Sequence, residues 1–192
     1  MTIFLILAPY GAFTFLMLVA SAAVSLFAAS GVCLAVIALD AYRGRSVKIL
    51  GAGSAVVFAG LGSYFTFIDP SLSVSAIKFF TDAGILAISA GSMLIRHPFS
   101  LQYALERVPA ETAAMPGFLR ANYIITGAWT LATLLMMLGN VAVLYIPGLS
   151  IWPSLVIAFA ARNSAMYFTT WYSECRKPKF AKPPANALTH TH

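Results

Sequence analysis

Three ionisable side chains stand where the surrounding sequence offers them little water. Lys78 and Asp82 lie four residues apart within the stretch 74–95, and Arg162 lies within 151–172; both stretches are otherwise apolar. Asn140, in the apolar run 121–146, and Asn163, beside Arg162, add neutral polar groups. A spacing of four puts Lys78 and Asp82 on one helix face. Ionisable groups at bilayer depth are expensive, turn inward and need partners. Such a set can lock helix register as a buried ion pair, or it can line a path for a proton or a solute. Asp82 is eight residues past Val74 and Arg162 eleven past Ile151. At about 1.5 Å per residue those are depths of roughly 12 and 16 Å from one membrane face. The sequence therefore predicts an Asp82–Arg162 pair, with Lys78 competing for the carboxylate.

Other chemistries lack their parts. His97 is the one histidine outside the terminal tail, where His190 and His192 lie, so no haem pair or histidine-rich metal site is available. Neither paired catalytic carboxylates nor a Ser/His/Asp spacing is recognisable. Gly51, Gly53, Gly60 and Gly62 superficially suggest a dinucleotide loop, but the third glycine of that pattern is missing and no strand precedes it. They read as close helix packing, as does the small-residue strip Ala83, Ala87 and Gly91, which serves either the monomer or a homodimer. Cys33, in an apolar run, and Cys175, in the basic tail, are not expected to pair. The expectation is a protein that is not an enzyme and holds no cofactor.

The elements that must carry these residues follow from composition. Of 192 residues, 60% are hydrophobic and 9% charged, and the mean hydropathy is +0.84. A soluble domain keeps roughly a quarter of its residues charged. The expected fold is all-α: a polytopic transmembrane bundle of six spans, at 2–19, 22–41, 47–68, 74–95, 121–146 and 151–172, followed by a basic, proline-rich cytoplasmic tail at 173–192 whose stretch Pro178–Pro184 should be disordered. The first 39 residues carry no charge. One helix of that length would be about 58 Å long, against about 30 Å of hydrocarbon, so the run breaks. Ala20-Ser21-Ala22-Ala23 is the place for the break, although it lacks a strong turn residue. The first piece has no basic residue ahead of it and reads as a retained helix rather than a signal peptide. Whether it crosses the membrane fully stays open.

Ten of the twelve Lys and Arg fall in three patches: Arg43, Arg45 and Lys48; Arg96, Arg107 and Arg120; and Arg176, Lys177, Lys179 and Lys182. With the six spans, all three patches share one side, while the segments 69–73 and 147–150 on the other side hold one acid and no base. Basic loops are retained in the cytoplasm, which sets the orientation. No basic helix points to nucleic acid. In the segment 98–108, Leu101, Ala104, Leu105 and Val108 recur on one face between Pro98 and Pro109. They predict a short cytoplasmic helix that lies on the leaflet or packs back onto the bundle. Arg96, Arg107 and Arg120 are the candidates for contact with anionic lipid or a partner.

Order and spacing along about 7–171 also bear a likeness. Pro9 comes early in the first apolar piece, followed by the basic turn Tyr42-Arg43-Gly44-Arg45 and Lys78 at the start of a later span. Then come the step Arg96-His97-Pro98-Phe99 and Trp129, with Asn140 eleven residues on. In this the chain resembles the intracellular septation protein A family of small bacterial inner-membrane proteins. It departs from the pattern at Thr126, where an Asn is expected, and in Asp82 and Arg162. The resemblance implies a non-enzymatic protein of septation and envelope maintenance, acting through division or envelope-synthesis proteins or through lipids. The rival expectation is a small-solute or proton-coupled carrier that uses the mid-membrane polar residues.

Overall fold

The computed structural model describes residues 2–180, with side chains from 8 to 176. The positions 181–192, including His190 and His192, and the side chains of Lys177, Lys179 and Lys182 lie outside the described set. Among the described residues eight helices follow one another: α1 (Thr2–Val19), α2 (Ala22–Tyr42), α3 (Ile49–Phe67), α4 (Val74–Leu94), α5 (Phe99–Leu105), α6 (Ala110–Ala113), α7 (Pro116–Tyr145) and α8 (Trp152–Phe180). Among the described residues α2, α3, α4 and α7 are long and apolar enough to cross a membrane, so this is an integral membrane protein.

Local chemistry explains the boundaries. The break after α1 falls where expected, and Ser21 supplies the turn residue that seemed to be missing. Its hydroxyl accepts a hydrogen bond from the Val24 amide at 3.4 Å and caps α2. Ser73 caps α4 in the same way through Ala76. Both α2 and α4 close on a Schellman turn. In α2, Gly44 takes the left-handed conformation, with the Gly44 amide on the Ala41 carbonyl and the Arg45 amide on that of Asp40. In α4 the same position is Arg96, at φ 58°, a conformation that costs a residue bearing a Cβ.

Two boundaries differ from expectation. Helix α7 starts at Pro116, not 121, because proline suits the first helical position. Helix α8 continues beyond Tyr172 to Phe180, so the start of the basic tail is helical. There the Arg176 guanidinium donates to the Tyr172 hydroxyl one turn earlier, at 2.8 Å.

The helices pack in succession: α1 on α2, α2 on α3, α3 on α4, α4 on α7 and α7 on α8. Helices α1 and α8, the ends of that succession, share at most marginal contact. Small residues allow the close approaches, since lipid tails give no hydrophobic drive between helices. A Cβ on Gly53 would lie 2.7 Å from Ile88, and one on Gly84 would lie 2.8 Å from Val57. Gly62 packs on Phe27, but Gly60 and Gly91 have nothing within 4 Å and Ala87 is exposed. The strip Ala83, Ala87 and Gly91 is therefore not the packing seam of α4 within this chain; Gly84 is. One apolar core gathers Phe13, Leu26, Cys33, Phe58 and Ile77, and another joins Ala132 and Met136 to Ala161 and Ala165.

Helix α5 packs back onto the bundle. Phe99 and Leu101 are buried, with Phe99 in a cluster with Leu50 and Ile85, while Leu105, expected on the apolar face, is 43% exposed. The buried face is set by the N-terminal residues of the helix, because Pro98 turns the chain directly against α7.

Candidate functional site

The chain of packed helices leaves a space between its ends. A cavity of about 1090 Å³ lies among α1, α4, α5, α7 and α8. Its wall is mostly apolar, from Phe13, Ile85, Phe99, Trp129, Met136 and Phe159, and it carries Lys78, Asp82, Asn140, Arg162 and Asn163. All five predicted intramembrane polar residues thus reach one cavity, but they do not form one network.

The carboxylate of Asp82 is bound by Asn140, whose side-chain amide donates to Oδ2 at 2.7 Å. Ser154 donates to the Asn140 carbonyl oxygen at 2.6 Å, completing a buried relay across α4, α7 and α8. The expected Asp82–Arg162 ion pair is not formed. Among the described residues the ion pairs are Arg45–Asp40 and Lys48–Glu106, and neither Arg162 nor Lys78 comes within 4.0 Å of Asp82. Counting depth along two helices ignored what lies between them: α7 separates α4 from α8, and Asn140 on α7 meets the carboxylate first. Arg162 and Lys78 stay within electrostatic reach of Asp82 and of each other. Among the described residues the Lys78 ammonium, which is shielded, has no hydrogen-bond partner. Asn163 donates to the Phe159 carbonyl of its own helix at 2.7 Å, so it belongs to the wall and not to the relay.

The residues that carry the family likeness mostly serve internal contacts. Pro9 is buried in α1, and Pro98 is buried ahead of α5. Arg45 pairs with Asp40 at 3.6 Å, while Arg43 is exposed. Trp129 donates its indole N–H to Thr169 at 2.9 Å, holding α7 to α8. At the departure from the pattern, the Thr126 hydroxyl, fully buried, donates to Ser100 at 2.9 Å and ties α7 to α5. Of the three arginines proposed for lipid or partner contact, all are exposed, and Arg107 also lines the cavity.

A second polar cluster was not foreseen. Lys48, only 4% exposed, donates to the Glu106 carboxylate and, at 2.8 Å, to the Ser46 carbonyl. Gln102 accepts from the Ile49 amide at 2.8 Å and so caps α3 from outside its own sequence. Tyr103, beneath Lys48, lines the cavity, and burial holds its phenol well above the ordinary range. Only the spacing of two polar residues, Gln102 and Glu106, on one face of α5 hinted at this cluster.

Compared with protein-family models, curated proteins and solved structures, the chain matches none.

Proposed function

We propose that the protein is a polytopic membrane carrier that takes a small molecule into the cavity between its first and last helices. The observation that carries this reading is the cavity itself. At about 1090 Å³ it exceeds the roughly 300–1,000 Å³ of ordinary ligand pockets, and its apolar wall bears a few convergent polar groups. A bundle built only as a scaffold has no need of so large a space beside buried charges.

Six spans suit this reading, with α1 and α8 as the outer walls of the cavity and α5 as a cytoplasmic closure. The three basic patches support an orientation with α5 facing the cytoplasm of a bacterial cell. A role in septation through protein partners gains less support, because Pro9, Arg45, Trp129 and Asn140 are engaged in the protein's own packing.

Flux into proteoliposomes tests the carrier. A Thr133→Cys variant, free of Cys33 and Cys175, places a thiol on the cavity wall. A panel of anionic, neutral and cationic fluorescent solutes should show flux above empty liposomes for one class, and a bulky thiol reagent should stop it. No flux for any class, or flux indifferent to the filled cavity, removes the carrier reading.

A further inference from the structure

Resting on the carrier reading of this cavity, we infer that its ligand is an amphiphilic anion, a carboxylate or phosphate monoester on an apolar body, with its head held between Lys78 and Arg162.

The first ground is charge. The cavity wall carries four cations, Lys78, Arg107, Arg162 and Arg176, against two carboxylates, Asp82 and Glu174. Within the spans the balance is two cations, Lys78 and Arg162, to one carboxylate, which already accepts from Asn140. Asp82 attracts Lys78 more strongly than Arg162 repels it, but Lys78 and Arg162 still repel each other in a low dielectric, and an anion between them turns that contact into two attractions.

The second ground is hydrogen bonding. A buried ammonium has three donors, and leaving them unmade is costly. Among the described residues Lys78 has no such partner and Arg162 has no ion pair. A carboxylate or phosphate supplies acceptors for both, and charge-assisted bonds to guanidinium and ammonium are the strong class.

The third ground is the remainder of the wall. Phe13, Ile85, Ile125 and Met136 offer apolar surface beyond the charged group, and the volume is far more than an inorganic ion needs. A ligand that left this surface wet would forgo about 25 cal/mol for each Å² of apolar area. An anionic head with an apolar body satisfies both parts of the site.

Bromine-labelled palmitate tests the assignment by quenching Trp129, which lines the cavity, in a W152F/W171F protein reconstituted in nanodiscs. The brominated alcohol and trimethylammonium of the same chain are the matched controls. Palmitate should quench saturably and bind roughly a hundredfold tighter than the alcohol, about tenfold for each charge-assisted contact. Lys78→Gln and Arg162→Gln should each remove about tenfold of this, and Lys78→Arg should retain it, which controls for folding. Displacement by hexanoate would identify an anion arriving from water, and failure to displace one arriving from the bilayer; both outcomes uphold the headgroup. An alcohol that binds as tightly as palmitate, or a cation that binds more tightly, overturns the inference while the carrier reading stands. Flux that fails for every solute overturns the carrier reading itself.

Discussion

Two lysines of this protein are withdrawn from water, and the chain treats them in opposite ways. Lys48 stands where the α2–α3 turn, the start of α3 and α5 meet, and it receives a carboxylate, a carbonyl, a hydroxyl and an aromatic face. Lys78 stands on the cavity wall, and its ammonium receives none of these. Both positions are surrounded by residues able to supply acceptors, so composition does not explain the difference. What differs is the neighbour. Lys48 faces a helix packed against it, and Lys78 faces the space between the ends of the helical succession. A buried charge satisfied within the chain is structural; one left for something else to satisfy is a candidate for function.

The comparison breaks most visibly at the Lys48 cluster. Removing one member of a buried pair typically costs about 3–5 kcal/mol, because the other charge is left uncompensated. The Glu106 side chain is 23% exposed, so water recovers part of this, and about 2–3 kcal/mol is expected for Glu106→Gln. Chemical unfolding in mild detergent measures it. A Lys48→Met/Glu106→Gln double variant should regain more than half of the loss. A double variant as unstable as the single would show that the pair is not the unit.

A smaller loss is expected where the mid-membrane relay is cut. Asn140→Ala strands the Asp82 carboxylate and the Ser154 hydroxyl together, for about 1–3 kcal/mol. Arg162→Gln, on the same membrane level, should change stability by less than about 1 kcal/mol, since no ion pair is lost. Thermal midpoints of the two variants in one detergent decide the matter. Equal losses would restore an ion pair between Arg162 and Asp82.

These two regions also mark how far the sequence could be read. Long apolar runs, basic patches and Pro/Gly ends give α1 to α4 to within about two residues, because each is a local signal; the start of α7, the end of α8 and the short α6 were not read from such signals. The break at Ser21 was placed correctly even though its cap was not recognised. The gathering of Lys78, Asp82, Asn140 and Arg162 around one space was legible too, since buried ionisable groups must turn inward. The partners within it were not. Depth along a helix is a one-dimensional measure, and which helix comes between α4 and α8 is a property of the packing. The Lys48 cluster was hidden for the same reason: its carboxylate, Glu106 at the end of α5, lies 58 residues away, and Lys48 read as one more basic loop residue.

The smallest expected effect has the opposite sign. Lys78→Met replaces a shielded ammonium with an unbranched apolar chain of similar reach, on a wall whose neighbours are largely apolar. The substitution breaks no hydrogen bond, and it relieves the repulsion between Lys78 and Arg162. It also removes an attraction to Asp82, but Asn140 still binds that carboxylate. The balance predicts a thermal midpoint unchanged or slightly raised, by no more than about 1 kcal/mol of stability, where Lys48→Met alone is clearly destabilising. The paired measurement sharpens the comparison more than either variant does alone, because both remove the same side chain from a shielded position. A gain in stability joined to a loss of anion binding is the signature of a group kept for function at some cost to the fold. If Lys78→Met destabilises as much as Lys48→Met, then Lys78 is satisfied within the chain and the contrast between the two lysines fails.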